Sequence, residues 1–262
     1  MVVNNFDLSK TLESGQCFHF EKLRDQKYLI YGENSFCVAT QEGNNLILET
    51  DNYDYWIYYL SLDVDYNFIN NYLINYATKE KDAFAIEAIN FSRGIRILRQ
   101  PLFETACSYI ISQQNRIPRI KKMVFSLSEK YSKNIKYLKE KAVYLFPSHQ
   151  ELSLSTQDEL KNMGLGYRAQ YIVDFCKAWP NIQNQLSQNY EKDKEILKSC
   201  NGIGEKVANC ICLYGLEELD SFPIDTWIKK ILNEHYPNGI NLPDKYAGIL
   251  QQYMFFYKRN YI

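Results

Sequence analysis

The sequence lacks any apolar run of about 18 residues, the length that a transmembrane helix needs. Its first ten residues, MVVNNFDLSK, have neither a basic start nor an apolar stretch, so no secretory signal is visible. We therefore expect a cytoplasmic protein that does not contact a membrane. The apolar share of 46% and the charged share of 23% are typical of a folded globular protein and exclude disorder as its main state.

Cysteine and histidine are too scattered in this chain to suggest a metal centre. The seven cysteines include no Cys-x-x-Cys pair, and the three histidines, His19, His149 and His235, lie far apart. These spacings argue against a structural zinc site, and a four-cysteine iron–sulfur loop is absent. The odd number of cysteines also argues against a disulfide framework.

Basic and acidic residues nearly balance, at 30 and 31, but they are unevenly distributed. Residues 1–80 contain 12 acidic and 5 basic residues, a net −7, which leaves +6 for residues 81–262 of the total of −1. Between residues 88 and 128, Glu104 is the one acidic residue among seven basic ones: Arg93, Arg96, Arg99, Arg116, Arg119, Lys121 and Lys122. Such a one-sided segment favours a nucleic-acid-binding surface, and a basic surface without a partner is the alternative.

Short apolar runs come first in the chain and helical periodicity follows. The runs at 28–31, 35–39 and 45–49, separated by turn-like segments, predict an antiparallel meander. From Tyr53 onward the apolar spacing lengthens towards helical. The later predicted helices are 104–114, 117–131, 155–163, 168–178 (followed by Pro180), 191–200, 204–215, 224–235 and 243–258. This order predicts an α+β fold, with a sheet domain and flanking helix at 1–80 and a helical domain at 81–262.

The most informative stretch is LKSCNGIGEKVA at residues 197–208. One helix ends there, Gly202-Ile203-Gly204 turns, and a second helix begins. Two glycines allow a tight bend that brings amide N–H groups to the surface at a helix N-terminus, where anions are favoured. A DNA phosphate is the natural ligand for such amides. An ordinary glycine-capped corner would have the same turn.

Three polar residues near this turn could act together. Lys206 is in the first turn of the second helix, where positive potential and desolvation are expected to lower the pKa of its amine and favour a nucleophile. Cys210 follows four residues later on the same helical face. Asp225 precedes a further helix that it would cap, and it could assist the amine. Alternatively, Lys206 is a surface lysine and Asp225 a plain N-cap.

Six motifs extend this pattern over nearly the whole chain: SGQCF at 14–18, RILRQ at 96–100, GLGYR at 164–168, KVANCIC at 206–212, PID at 223–225 and YAG at 246–248. Together with the hairpin at about 191–215 they resemble the helix-hairpin-helix-GPD superfamily of DNA glycosylases. More narrowly, they resemble 8-oxoguanine DNA glycosylases of the eukaryotic type. The resemblance implies an N-terminal twisted antiparallel β-sheet domain followed by two helical subdomains.

The resemblance also implies a bifunctional enzyme of base excision repair that excises 8-oxoguanine and then acts as an AP lyase. Lys206 would attack C1′ of the damaged nucleotide and form a Schiff base, and Asp225 would stabilise charge on the sugar. Since a stacked base is out of reach, the nucleotide must be flipped out. By the same resemblance Cys210 and Phe255 sandwich the base, Gln251 binds its Watson–Crick edge, and the carbonyl of Gly15 accepts the N7–H of the oxidised purine.

Six further residues are implied to contact DNA. Arg119 and Arg168 match contacts to the estranged cytosine, Tyr167 matches the wedge, Gln114 faces the vacated site, and Gly202 and Gly204 offer amides. Three departures from the family pattern accompany them. Gln113-Gln114-Asn115 replaces an all-asparagine run, Trp227 stands in place of a histidine, and Tyr214 stands in place of a methionine.

The resemblance implies no organic or redox cofactor and no iron–sulfur cluster. Carbonyl oxygens of Cys200, Ile203 or their neighbours could hold a structural cation at the hairpin, although such ligands leave no sequence signature. The expected partner is double-stranded DNA with 8-oxoguanine, bound by a monomer at a bacterial nucleoid. Two alternatives are a related glycosylase for an oxidised pyrimidine or a mispaired adenine, and a non-catalytic hairpin module that only binds DNA.

Overall fold

The structure, a computed structural model, describes residues 1–187 and 189–261. The strands are β1 Phe20–Arg24, β2 Lys27–Tyr31, β3 Phe36–Glu42, β4 Asn45–Glu49, β5 Ile135–Leu138 and β6 Lys141–Tyr144. The α-helices are α1 Leu8–Glu13, α2 Tyr53–Tyr59, α3 Tyr66–Lys79, α4 Ala83–Ser92, α5 Leu102–Ser112, α6 Ile117–Tyr131, α7 His149–Leu152, α8 Gln157–Leu160, α9 Arg168–Gln185, α10 Tyr190–Lys198, α11 Glu205–Gly215, α12 Thr226–His235 and α13 Ala247–Tyr261. The predicted α+β class is confirmed.

Strands β1 to β4 form one antiparallel sheet in sequence order. The predicted meander is confirmed for β2, β3 and β4. Strand β1 was not predicted because its FEKLR sequence buries only its first residue, Phe20, and so lacks the alternation that marks a half-buried strand. The division of the chain into domains at residue 80 stays a prediction.

Both faces of this sheet are covered. Residues of β2 alternate, so that Tyr28 and Ile30 join a core with α1 and α2, whereas Leu29 and Tyr31 join a second core with the β5–β6 hairpin. That hairpin was not predicted from the sequence. Its strands have only four residues each, and Val143 is their one fully buried side chain.

Helix α11 lies at the centre of the helical part of the fold. Every residue from Val207 to Tyr214 is buried, as the sequence predicted for a helix that is apolar almost all round. Helices α5 and α10 pack directly against it. The first turn of α11 thereby places Lys206 at the edge of the main core.

The prediction that Pro180 follows a helix is wrong, because α9 continues through it to Gln185. A proline has no N–H, so the carbonyl of Cys176, four residues earlier, loses its usual helical donor. The Nε2 atom of His149 occupies that role and lies 2.9 Å from the Cys176 oxygen. A histidine from outside α9 therefore replaces the missing donor to this carbonyl, and the helix can continue past Pro180.

Replacing His149 with alanine is expected to reduce the free energy of unfolding by about 1–3 kcal/mol, because it leaves this carbonyl without a donor. In a Pro180→Ala background the backbone N–H returns, and the same substitution should cost measurably less. Urea unfolding of the four proteins in this cycle checks the prediction. Equal losses in the two backgrounds would contradict it.

Among the described residues, no helix is both long and apolar enough to cross a membrane. Within that same part of the chain, no group of three or more His, Cys, Asp and Glu side chains is arranged to hold a metal ion. All seven cysteines are buried and free.

Candidate active site

The two glycines of the α10–α11 turn are required for different structural reasons. Gly202 has a φ of +86°, and a Cβ added there would lie 2.2 Å from Cγ of Tyr171. Gly204 has a φ of −92° and acts as the N-cap of α11, with no atom within 4 Å of an added Cβ. The protein itself therefore needs a glycine at 202, whereas at 204 the glycine keeps the surface before α11 open.

The amides at the start of α11 are available for a ligand. No side chain caps this helix, so its first N–H groups point towards the open surface at Gly204. Gln113 holds the turn from the other side, because its Nε2 donates to the Gly202 carbonyl over 2.9 Å. This hydrogen bond was not predicted from the sequence.

Lys206 lies close enough to Cys210 and Asp225 to influence both side chains. The Lys206 Nζ atom lies 5.1 Å from the ring centroid of Tyr109. Burial raises the pKa of the Cys210 thiol, and the charge of Lys206 opposes that rise. Burial likewise raises the pKa of Asp225, against the opposing effects of the Ile228 N–H and of Lys206. An amine and a carboxyl group thus share one partly desolvated site.

Asp225 also has the predicted capping role. One of its carboxylate oxygens accepts the N–H groups of Trp227 over 2.9 Å and Ile228 over 2.8 Å at the start of α12. These bonds fix the orientation of the carboxylate relative to Lys206. The N-cap interpretation and the functional interpretation of Asp225 are therefore compatible.

The SGQ and RILRQ motifs form one structure. The side chain of Gln16 is fully buried, and its Nε2 donates to the Arg96 carbonyl over 2.8 Å. Its Oε1 accepts the Leu98 N–H over 2.8 Å, and its own carbonyl accepts Nε2 of Gln100 over 2.9 Å. The turn at Gly15 is therefore fastened to the segment before α5.

Gly15 and Phe255 meet although they lie near opposite ends of the chain. Gly15 has a φ of +90°, and a Cβ there would lie 2.8 Å from Nη1 of Arg259 and 3.2 Å from Cε1 of Phe255. The carbonyls of Ser14 and Gln16 accept hydrogen bonds, but among the described residues none donates to the Gly15 carbonyl. A carbonyl acceptor is thus left for a ligand beside an aromatic ring.

Gln251 offers a second unused acceptor. Its side chain is buried, and its Oε1 atom has no hydrogen-bond partner among the described residues. Gln251 precedes Phe255 by one helical turn on α13, so both side chains face the same side of that helix. A buried amide oxygen without a partner is costly, which points to a polar ligand at this position.

The residues expected to contact the opposite strand surround the GLGYR loop. Tyr167 is 47% exposed, and Arg119 and Gln114 are exposed as well. Arg168 is only 5% exposed, and its guanidinium donates to the carbonyls of Gln113, Gln114 and Leu165. In this structure the guanidinium of Arg168 is used up by these backbone carbonyls and stabilises the loop, so its contact with DNA stays a prediction.

Two family profiles match this chain. The profile described as 8-oxoguanine DNA glycosylase, N-terminal domain, matches residues 1–106. The profile described as HhH-GPD superfamily base excision DNA repair protein matches residues 107–253.

Solved structures of similar sequence cover almost the whole chain. A protein named MBOgg1, in complex with a low-affinity DNA ligand, is 34% identical with a TM-score of 0.88 over 99% of this chain and 94% of its own. The Clostridium acetobutylicum 8-oxoguanine glycosylase/lyase, bound to double-stranded DNA with cytosine opposite 8-oxoG, is 30% identical with a TM-score of 0.87 over 98% of this chain and 93% of its own.

A curated relative matches over a shorter segment. The N-glycosylase/DNA lyase of Saccharomyces cerevisiae is 36% identical over 164 residues, which are 57% of this chain and 44% of the yeast protein. The match thus spans less than half the length of that relative.

Proposed function

Because this chain belongs to the 8-oxoguanine DNA glycosylase family of the HhH-GPD superfamily, we propose that it is a bifunctional glycosylase and AP lyase that excises 8-oxoguanine from duplex DNA. The neutral amine of Lys206 attacks C1′ of the flipped nucleotide, and the bond from C1′ to the base breaks with its electron pair leaving on the base. Asp225 stabilises the positive charge that develops on the sugar. The amine then loses a proton, and the C1′–O4′ bond opens as O4′ takes up a proton, which gives the Schiff base. Removal of a proton from C2′ then breaks the 3′ C–O bond by β-elimination, and the 3′ phosphate leaves.

The unused acceptor at Gly15 is the observation that carries the choice of substrate. Normal guanine has a bare N7, which would leave this carbonyl unsatisfied, whereas 8-oxoguanine carries an N7–H that can donate to it. A buried polar group without a partner costs about 1–3 kcal/mol, which favours the lesion. Gln251 supplies an amide for the Watson–Crick edge of the base, while Cys210 and Phe255 provide the two faces that sandwich it.

The DNA contacts proposed for the surface follow from its exposed groups. Amides at Gly204 bind a phosphate, Tyr167 fills the gap left by the flipped nucleotide, and Arg119 and Gln114 face the opposite base. Arg168 positions the Gln113–Gln114 segment in the free protein, and it would contact the estranged base only after releasing those carbonyls.

A cation at the hairpin is part of the same proposal. Among the described residues, no hydrogen bond ends on the carbonyl of Ile203, whereas that of Cys200 accepts the Ile203 N–H over 3.1 Å. Backbone oxygens of this kind fit a hard cation that would bridge to a DNA phosphate. We further propose a monomeric enzyme that works in the cytoplasm at the nucleoid.

Excision assays over a panel of lesions test the function. The protein should release 8-oxoguanine from duplex DNA, and borohydride should trap a covalent complex on the same substrate. Release of an oxidised pyrimidine or of adenine opposite 8-oxoguanine, without release of 8-oxoguanine, would favour a related glycosylase. Duplex binding without release of any base would favour a non-catalytic module. Assays opposite each of the four bases define the role of Gln114 and Arg119.

The Asp225→Asn variant is expected to fold normally and to excise 8-oxoguanine roughly 10²–10³-fold more slowly, because asparagine caps a helix as well as aspartate but carries no charge. Burial raises the pKa of Asp225, so the native enzyme should lose activity as the pH falls through that raised pKa and the carboxylate takes up a proton. Single-turnover rates measured against pH check both points. Persistence of the same acidic limb in the variant would show that another group causes it.

A further inference from the structure

Two stacked tyrosines lie beneath the proposed nucleophile. Tyr109 on α5 and Tyr214 on α11 are buried, and their rings stack at a centroid distance of 5.4 Å with an interplanar angle of 9°. Lys206 stands over the ring of Tyr109. Burial raises the pKa of both hydroxyls well above the ordinary value, so they remain protonated donors. The proposed chemistry of Lys206 and Asp225 does not use these hydroxyls.

Both hydroxyls are linked by hydrogen bonds to the turn that contains Gly15, one directly and one through another side chain. Tyr109 donates directly to the Gln16 carbonyl over 3.1 Å. Tyr214 donates to Oε1 of Gln252, and Nε2 of the same amide donates to the Ser14 carbonyl over 3.1 Å. The tyrosine pair therefore contributes a hydrogen bond on each side of Gly15, at Gln16 beside the bond from Gln100 and at Ser14 through Gln252, and leaves the Gly15 carbonyl free.

This arrangement matters because Gly15 is the most adaptable point of the turn. Its φ of +90° is open to glycine, and nothing among the described residues holds its carbonyl directly. The direction of that carbonyl consequently depends on the peptide groups that flank it. Ser14, Gln16 and Gln252 are almost completely buried, so the bonds that fix those peptide groups are shielded from water.

We propose that Tyr109 and Tyr214 are positioning residues for lesion specificity, which aim the Gly15 carbonyl at the base while they support the catalytic helix. The inference rests on the proposed function, since it assumes that this carbonyl recognises the N7–H of 8-oxoguanine. It goes further in linking the catalytic helix to the recognition turn through Gln252. The link predicts that the hydroxyls contribute to base recognition and not to the chemistry of the amine.

An abasic site separates these two contributions. Cleavage of abasic DNA needs the amine of Lys206 but presents no base to Gly15. The double variant Tyr109→Phe/Tyr214→Phe keeps both rings and removes only the hydroxyls. We expect its excision of 8-oxoguanine, as kcat/KM, to fall about 10- to 100-fold. Its cleavage of abasic DNA and borohydride trapping on that substrate should stay within about twofold of the native rate.

Tyr253→Phe is the matched control, because it also removes a buried hydroxyl. That hydroxyl donates to Oδ1 of Asn70 over 2.9 Å and makes no hydrogen bond to Ser14, Gly15 or Gln16. It should leave the ratio of the two activities unchanged. Parallel losses of excision and abasic cleavage in the double variant would overturn the proposal, and so would an unchanged ratio. A native protein that cleaves abasic DNA but releases no 8-oxoguanine would instead refute the proposed function.

Discussion

The Lys206→Gln protein is expected to excise 8-oxoguanine on the order of 10³-fold more slowly than the native protein or not at all, and to form no borohydride-trapped complex. Glutamine is one atom shorter and has a similar helix propensity, but the lone pair of its amide nitrogen is delocalised into the carbonyl and cannot attack C1′. Lys206 is only half-buried, with its amine over the Tyr109 ring, so the substitution should disturb the fold little. Gel detection of the trapped complex and single-turnover kinetics provide the two measurements.

A surface lysine serves as the control for this variant. Lys27 on β2 pairs with Glu49 in the N-terminal sheet, and Lys27→Gln should retain native excision and trapping. Trapping of the Lys206→Gln protein at the native level would assign the nucleophile to another amine. Loss of excision with unchanged trapping on abasic DNA would likewise exclude Lys206 as the group that forms the Schiff base.

The Gly202→Ala protein is expected to lose about 2–5 kcal/mol of its free energy of unfolding. Its new methyl group would overlap the Tyr171 ring, whose Cγ, Cδ2 and Cβ atoms lie 2.2, 2.5 and 2.6 Å from the Cβ position. Rotating the ring cannot relieve the overlap, because the Cβ atom of Tyr171 is fixed on α9 and itself lies 2.6 Å from the added methyl group. The φ of +86° adds backbone strain for any residue with a side chain. Urea unfolding measures this loss directly.

Gly204→Ala provides the matched comparison two residues away. Its methyl group meets no atom within 4 Å, and its φ of −92° suits alanine, so stability should change by less than about 1 kcal/mol. The same methyl group would stand where a phosphate approaches the amides of α11, and duplex affinity should fall about tenfold. If both variants were equally unstable, or if Gly204→Ala bound DNA normally, this assignment of the two glycines would be wrong.

The secondary structure was predictable wherever local spacing determines it. The apolar face of α11, the turn at Gly202 and the cap at Asp225 depend on residues close together in the chain, and the structure has them as predicted. The helix through Pro180 was not predictable, because its continuation depends on a donor from His149 in another helix. Strand β1 and the β5–β6 hairpin were missed because short strands with charged residues lack clear alternation.

The sequence by itself singled out Lys206 and Asp225 as candidate catalytic residues, because each lies at the start of a helix, where local capping and the helix dipole are predictable. How close the two helix starts lie to each other is decided by the tertiary structure. By contrast, only the resemblance to a family linked Gly15, Gln251 and Phe255 to a base, since each alone would pass for a turn, a surface or a core residue. Their assembly was beyond any local pattern.

Tertiary structure decided which groups are free to bind and which are already used. Packing of α13 against the turn after α1 brings Phe255 to Gly15 and, among the described residues, leaves the amide oxygen of Gln251 without a partner. Elsewhere in the fold, Arg168 at the start of α9 turns inward onto the carbonyls of Gln113 and Gln114, which lie between α5 and α6. Hydrogen-bond availability depends on contacts between distant segments. The residue types of the site could therefore be identified from the sequence, and only the folded chain shows which of their atoms remain for DNA.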